Sequence, residues 1–184
     1  MDRIRLHDLK RVSSYIQKEL DKAYKDTIQE ACYLRGSAVQ EFEKQWTEYT
    51  GAEDCCALTS GTDALHTAAM LTGVGPGDEV IMPAHGFIAS IGPWLHTGAT
   101  IKYVDCKVSD YCIDEDKIEA QITDKTKVIL WIDINGQTPD VDRILAIAKK
   151  HNLTTVEDAA PSAGASYKNR KVGTLADITC FSFG

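Results

Sequence analysis

The sequence lacks several features that mark large classes of protein. It has no long run of lysine and arginine, its formal net charge is −7 and its pI is near 5.2, so no basic stripe is present to bind nucleic acid. No uninterrupted apolar stretch reaches the roughly 20 residues that a membrane span needs. The first five residues are followed by no apolar segment, so we expect no signal peptide and a cytosolic location.

Cysteine pairs and a nucleoside-triphosphate loop are absent too. The six cysteines show no CxxC spacing and most lie in apolar runs, so we interpret them as small buried residues rather than a disulfide framework or a metal site. The small-residue turn at 59–65 contains no Gly-Lys-Ser/Thr, so ATP or GTP binding is not indicated.

Strand-like and helix-like segments alternate along most of the 184 residues. This alternation predicts an α/β fold, a three-layer sandwich around a central, mostly parallel (mixed) sheet. We expect a helical segment over residues 1–36, in which the amphipathic stretch 8–32 serves packing or a subunit contact, and a large domain over 37–184. Residues 55–59 are expected to form a short buried strand, with further strands at 100–104 and 128–132 and a helix at 88–96 that is apolar on one side. Asp114 and Asp140 are expected to begin helices, and residues 165–172 to form a hairpin that turns at Lys168-Asn169-Arg170.

The stretch Thr154 to Ala160 has the pattern of a buried strand that delivers an acid to the edge of a sheet. A β-branched run ends in Glu157 and Asp158, and ligands of open α/β sheets bind at the carboxyl ends of the strands. A buried carboxylate is costly unless a cation or strong donors compensate it. A cation facing Asp158 is one solution, and the protonated ring nitrogen of pyridoxal phosphate is a candidate. Capping of a following helix or binding of Mg²⁺ is the alternative.

Two other segments fall at the same predicted edge. The turn Gly61-Thr62-Asp63 lies between a predicted strand and a helix, where free N–H groups and the helix dipole suit a phosphate. An ordinary turn with Ser60 or Thr62 as N-cap is the alternative. Phe87 follows the strand that ends at Pro83, and it is either a ring that stacks on a flat cofactor or a core aromatic.

Taken in order along the chain, these motifs resemble those of the DegT/StrS-type sugar aminotransferases, which have the fold of aspartate aminotransferase. The resemblance runs from about residue 34 to residue 184. The motifs that carry it are Ser60-Gly61-Thr62-Asp63-Ala64-Leu65, Pro83-Ala84-His85-Gly86-Phe87-Ile88-Ala89-Ser90, Gly136-Gln137, Glu157-Asp158-Ala159-Ala160, Gly173-Thr174-Leu175-Ala176-Asp177 and Phe181-Ser182-Phe183.

The resemblance implies a pyridoxal 5'-phosphate site and a role for each matched position. Gly61, Thr62 and Asp63 match the residues that hold the cofactor phosphate, and Ser182 matches a second phosphate contact. Phe87 matches the ring-stacking aromatic and Asp158 the partner of the pyridine nitrogen. No metal is implied.

Four departures from the family pattern stand out. Pro161 occupies the position of a usual glutamine, and Gly86 that of a usual threonine. The lysine that forms the Schiff base is expected shortly after Gly184, since Lys168 and Lys171 do not match its position. The small C-terminal domain of the family is not in the chain either. We therefore expect the chain to be one segment of a longer enzyme, and a truncated product is the alternative.

The function that the resemblance implies is transfer of an amino group from glutamate or glutamine to a keto sugar in the biosynthesis of surface-polysaccharide or antibiotic sugars. We expect this keto sugar to be nucleotide-linked. Family members are homodimers whose sites are shared between subunits. Two alternatives remain open at this point. One is a pyridoxal-phosphate-dependent sugar dehydratase on the same scaffold, in which histidine replaces the lysine. The other is a non-catalytic protein of this fold that regulates or serves as a scaffold.

Overall fold

The computed structural model describes residues 8–184, and the chain divides into two compact units, one ending at Gln45 and one running from Trp46 to Gly184. The first unit contains helices α1 (Leu9–Tyr15) and α2 (Gln17–Glu30) and the start of α3 (Ser37–Thr50). The helical pattern predicted for 8–32 is confirmed, with a break at Ile16. Neither α1 nor α2 buries a residue, so their apolar side chains remain exposed within this unit.

The second unit is built on a five-stranded sheet in which all neighbouring strands are parallel. Its strands stand in the order β2-β1-β3-β4-β7. They are β1 (Glu79–Pro83), β2 (Thr100–Val104), β3 (Thr126–Ile132), β4 (Thr154–Asp158) and β7 (Ile178–Cys180). The predicted α/β fold is confirmed, and the sheet is parallel throughout rather than mixed. The antiparallel pair β5 (Ser166–Tyr167) and β6 (Arg170–Lys171) forms a separate hairpin.

Helices cover both faces of the sheet, because parallel strands are joined by crossovers that pack onto it. The helices are α4 (Gly61–Leu71), α5 (Ile88–His96), α6 (Glu115–Ile118) and α7 (Val141–His151), with 3₁₀ turns at Glu119–Gln121 and Ile134–Gly136. One face of the sheet packs against α4 and α5 through Leu65 and Trp94. The other face packs against α6 and α7 through Ile118 and Ile144. Two apolar cores therefore enclose the sheet, which gives the three layers predicted.

Two expectations from the sequence are wrong. Residues 55–59 form no strand in the structure, because an apolar run becomes a strand only where a neighbouring strand can exchange backbone hydrogen bonds with it. The cysteines, all within residues 8–184, are mostly not buried: only Cys112 and Cys180 are, and none of the six is paired in a disulfide. Short apolar runs in loops explain the error, since an apolar neighbourhood in sequence does not ensure a buried position.

The carboxyl ends of the parallel strands meet at one edge of the sheet, and this edge holds the predicted site. The direction in which successive strands are added to the sheet reverses at β1, since β2 lies on one side of β1 and the remaining strands lie on the other. Such reversals open a crevice outside the carboxyl ends of the strands. Phe87 follows β1, Asp158 ends β4, and Ser182 follows β7. The order of the strands thus brings three separate motifs to one place.

Candidate active site

Asp158 is a buried carboxylate at the last position of β4, with 4% of its surface exposed. Its Oδ2 accepts a 2.6 Å hydrogen bond from Ser90 Oγ, and its Oδ1 accepts a 3.2 Å bond from the backbone N–H of Ala160. Burial raises the pKa of Asp158, and these two donors partly oppose that rise. No helix begins between Asp158 and β5, so the alternative that Asp158 caps a helix is wrong. Among residues 8–184, no lysine, arginine or histidine forms an ion pair with this carboxylate.

Ser90 is a site residue that our sequence analysis did not single out. It lies in the first turn of α5, where its backbone N–H donates to the carbonyl of Phe87, and it is 1% exposed. A buried hydroxyl needs a partner, and Asp158 provides it. The signal was present in the sequence, because Ser90 is a lone small polar residue on the apolar side of a predicted helix. Only the fold, however, places it beside a residue 68 positions away.

Phe87 stands immediately before α5 in an extended backbone conformation, and 71% of its surface is exposed. The alternative that Phe87 is a core aromatic is therefore wrong, and its ring is available to a ligand. The neighbouring Gly86 lies close to Ile132, because a Cβ built on Gly86 would stand 2.3 Å from Ile132 Cδ1. The isoleucine thus occupies the space that a larger residue at position 86 would take.

The start of α4 offers backbone donors to an anion. Ser60 is the N-cap in an extended conformation, and its side chain accepts a 3.1 Å hydrogen bond from the N–H of Asp63. The N–H groups of Gly61 and Thr62 have no carbonyl to bond within the helix. The carboxylate of Asp63 accepts a hydrogen bond from the Thr59 hydroxyl. The interpretation of Ser60 as N-cap is thus confirmed, with the N–H of Asp63 engaged by the cap, while anion binding by Gly61 and Thr62 stays a prediction.

Gly61 and Ser182 are in direct contact, although they are 121 positions apart in the sequence. A Cβ built on Gly61 would lie 2.7 Å from Ser182 Cβ and 3.1 Å from Ser182 Oγ. The contact follows from the packing of α4 against β7, and β7 is itself held beside β4 by the N–H of Ala159, which donates to the carbonyl of Cys180 at 2.8 Å. The hydroxyl of Ser182 is thereby placed next to the free N–H groups at the start of α4.

The structure joins the predicted residues in two groups. Gly61 contacts Ser182 in the first, and Phe87 is linked to Asp158 through Ser90 in the second. Two lysines of the hairpin region are engaged elsewhere. Lys168 Nζ binds Asp142 at 2.7 Å, and Lys171 Nζ lies 4.1 Å from the centre of the Tyr49 ring.

Comparison with known proteins identifies the family. Residues 14–184 match the DegT/DnrJ/EryC1/StrS aminotransferase family. The chain belongs to this family. The resemblance predicted from the motifs is thereby confirmed.

Relatives within the family act on sugars carried by different nucleotides. The chain is 39% identical over 176 residues to the dTDP-3-amino-3,6-dideoxy-alpha-D-galactopyranose transaminase of Aneurinibacillus thermoaerophilus, covering 96% of this chain and 48% of the relative. It is 43% identical over 148 residues to the GDP-perosamine synthase of Caulobacter vibrioides, covering 80% of this chain and 40% of the relative. The chain therefore spans less than half the length of these relatives.

A solved structure confirms the fold. The crystal structure of a DegT DnrJ EryC1 StrS aminotransferase from Brucella abortus superposes with a TM-score of 0.94 at 32% identity, covering 98% of this chain and 50% of that one. At this level of agreement the architecture is that of the pyridoxal-phosphate-dependent aminotransferases.

The family implies pyridoxal phosphate as cofactor, and the site built by this chain fits it. Asp158 is a buried carboxylate that a cation would stabilise, and a protonated ring nitrogen is such a cation. Unused N–H groups of Gly61 and Thr62 beside the Ser182 hydroxyl suit a phosphate. The described residues contain no cluster of three or more His, Cys, Asp or Glu side chains able to hold a metal ion. Over the same residues, every helix is too short or too polar to cross a membrane.

Proposed function

We propose that the protein containing this chain is a pyridoxal-phosphate-dependent aminotransferase that transfers an amino group to the keto group of a nucleotide-linked sugar. Asp158 carries the proposal, because it is a buried acid at the carboxyl end of a central strand, and its hydrogen-bond donors are a hydroxyl and an amide rather than a cation. Such a carboxylate is stable when a cationic ring meets it. The family membership supports the reaction class.

Each candidate residue has a distinct role in this proposal. The N–H groups of Gly61 and Thr62 and the hydroxyl of Ser182 bind the phosphate, and the turn of Asp63 shapes their cradle. The exposed ring of Phe87 covers one face of the cofactor. Asp158 holds a proton on the ring nitrogen, and Ser90 fixes the direction of the carboxylate. When bound, pyridoxal phosphate acts as the electron sink that makes removal of a proton from the amino-bearing carbon possible.

The substrate side of the proposal rests on the relatives. The names of the two relatives differ in the nucleotide, dTDP for the transaminase and GDP for the perosamine synthase. We therefore propose a nucleotide-linked keto sugar as the amino acceptor without choosing the nucleotide. Glutamate or glutamine as donor and a homodimer with shared sites complete the proposal on the strength of the family resemblance, and the cytosolic location is proposed from the sequence alone. The exposed apolar residues of α1 and α2 support the subunit contact.

Substitution of Asp158 tests the proposal in the full-length protein. Asp158→Asn keeps the shape of the side chain but removes the charge that keeps the ring nitrogen protonated, so we expect the amination rate to fall by about 10²–10³-fold. The measurement is glutamate-dependent amination of a panel of nucleotide-linked keto sugars, with cofactor retention followed by absorbance. Asp124→Asn is the matched control, because Asp124 is exposed. A rate for Asp158→Asn within tenfold of wild type would contradict the assigned role.

A further inference from the structure

Two buried acids lie on the face of the sheet opposite Asp158. Glu157 precedes Asp158 in β4, and because successive side chains of a strand point to opposite faces, the two acids diverge. Asp133 follows the end of β3, the strand next to β4. Both Glu157 and Asp133 are fully buried, with 0% of their surface exposed. The proposed reaction uses neither of them.

One oxygen of each acid is bonded and the other is not. Asp133 Oδ2 accepts a 2.7 Å hydrogen bond from Ser162 Oγ, and Glu157 Oε2 accepts a 2.9 Å bond from Thr179 Oγ1. Asp133 Oδ1 and Glu157 Oε1 are both buried and form no hydrogen bond within the described part of the chain. The two acids face each other, and the buried indole N–H of Trp131, which also forms no hydrogen bond there, faces both of them. One indole N–H cannot satisfy both carboxyl oxygens, whereas a proton shared between the acids satisfies the pair.

Burial and the neighbouring negative charges favour binding of a proton by the pair. Burial raises the pKa of Glu157 most, followed by the negative charge of Asp133. Burial also raises the pKa of Asp133, and the charge of Asp158 adds to it. Two buried thiols also lie near the pair, Cys112 beside Asp133 and Cys180 beside Glu157. Both are neutral, because burial raises their pKa to about 12. No lysine, arginine or histidine between residues 8 and 184 forms an ion pair with either acid.

We propose that Asp133 and Glu157 share one proton and that this acid pair positions Asp158 for the cofactor. The proton resides on Glu157 Oε1 and is donated to Asp133 Oδ1, which leaves one negative charge on the pair. The positioning role rests on the proposed function, whereas the shared proton does not depend on it.

The contacts of Asp133 show how the pair acts on Asp158. The backbone N–H of Asp133 donates to the backbone carbonyl of Asp158 at 3.1 Å. The side chain of Asp133 binds Ser162, which lies in the segment that continues from Asp158, while Glu157 precedes it. The acid pair therefore fixes the backbone on both sides of Asp158. It also joins that segment to the 133–137 loop, where a Cβ on Gly136 would lie 3.4 Å from the carbonyl oxygen of Pro161.

Infrared spectroscopy of the full-length protein tests the shared proton directly. We expect the carbonyl stretch of a buried, protonated carboxylic acid at neutral pH in wild type. Glu157→Gln and Asp133→Asn should each abolish this band, because an amide N–H then supplies the hydrogen bond and the remaining acid ionises. Glu48→Gln, at an exposed glutamate, is the matched control and should retain it. A wild-type spectrum without the band would overturn the shared proton.

The pH dependence of stability gives a second measure of the proton. A carboxyl whose folded-state pKa is raised contributes stability that is present below its unfolded pKa and is lost as the pH rises through its folded pKa. Wild type should therefore lose stability relative to Glu157→Gln as the pH rises from about 4 past neutrality. Parallel stability curves for the two proteins would contradict the shared proton.

Cofactor affinity tests the positioning role. Glu157→Val leaves Asp133 charged, buried and without its partner, so we expect pyridoxal phosphate to bind about tenfold more weakly, whereas Glu157→Gln stays within about threefold of wild type. If Glu157→Val fails to fold, Ser162→Ala removes the tie to Asp133 and should weaken binding by about threefold. Wild-type affinity in the folded variants overturns positioning. Wild type that binds no cofactor overturns the proposed function and the positioning role, while the infrared band still decides the shared proton.

Discussion

Gly61→Ala is the substitution that probes the assembled site most directly. The added methyl would lie 2.7 Å from Ser182 Cβ and 3.1 Å from Ser182 Oγ, whereas carbon atoms in contact prefer about 3.5–4.0 Å. The contact joins the first residue of α4 to the segment after β7, and both belong to the proposed phosphate cradle. The substitution therefore tests whether two segments that are distant in sequence meet as described.

Two opposing contributions set how far Gly61→Ala changes the free energy of unfolding. Replacing glycine by alanine in a helix favours folding by up to about 1 kcal/mol. Forcing a methyl group into a filled space costs about 1–3 kcal/mol, because Ser182 and the backbone that carries it must move. The close contact outweighs the helical preference, and we expect a net loss of about 1–2 kcal/mol in the free energy of unfolding. Affinity for pyridoxal phosphate should fall as well, since the methyl displaces a phosphate-binding hydroxyl.

Urea unfolding of the full-length protein measures the first effect, and cofactor titration measures the second. Gly92→Ala is the matched control, because Gly92 lies inside α5 and a Cβ there would meet nothing within 4 Å. That control should change the free energy of unfolding by less than about 1 kcal/mol, because the helical preference of alanine is opposed by the ring of Pro93, which follows directly. The double variant Gly61→Ala with Ser182→Gly removes the clashing Cβ and should recover part of the lost stability. Equal effects of Gly61→Ala and Gly92→Ala would refute the contact between α4 and Ser182.

Two further predictions concern the surroundings of the site. Gly86→Ala should destabilise the protein by about 1 kcal/mol, because the new Cβ would meet Ile132 Cδ1. Ile132→Val removes that atom, so it should reduce the effect of Gly86→Ala in a double-mutant cycle. Additive effects of the two substitutions on the free energy of unfolding would contradict the contact. Burial raises the pKa values of Cys112 and Cys180 to about 12, so these thiols should resist thiol reagents until the protein unfolds. The exposed thiols of Cys32 and Cys56 should react at once. Labelling of Cys180 in the folded protein at the rate of Cys56 would contradict the burial of Cys180.

Local patterns were sufficient to predict most strands and helices. The strand Thr100–Val104 has the predicted bounds, and Asp114 and Asp140 cap α6 and α7 as expected, because cap, apolar stripe and strand alternation are properties of neighbouring residues. The hairpin turn at Lys168 and Asn169 is also confirmed by their positive φ angles of 47° and 65°. Residues 55–59 show the limit of this reasoning, because strand formation depends on a partner that a local pattern does not reveal.

The site could be predicted in outline but not in its contacts. The rule that ligands bind at the carboxyl edge of a parallel sheet was enough to place Phe87 and Asp158 at one edge. It could not identify Ser90 as the donor to Asp158, since that contact depends on how α5 crosses β4. Nor could it show that the N–H of Asp63 is used by the Ser60 cap. Contacts of this kind follow from packing between elements, and no spacing along the chain encodes them.

The adjacent acids Glu157 and Asp158 show why a motif can mislead when it is taken as one unit. They stand side by side in sequence, yet the pleat of β4 directs Asp158 toward the face that packs on α5 and Glu157 toward the face that packs on α7. Asp158 therefore meets Ser90, and Glu157 meets Asp133 and Thr179. A charge on Glu157 could not help the cofactor from the far side of the sheet, and it would add repulsion to a buried region that already holds Asp133 and Asp158. A proton on Glu157 leaves one negative charge instead of two on that face, and the pair fixes the backbone that Asp158 depends on.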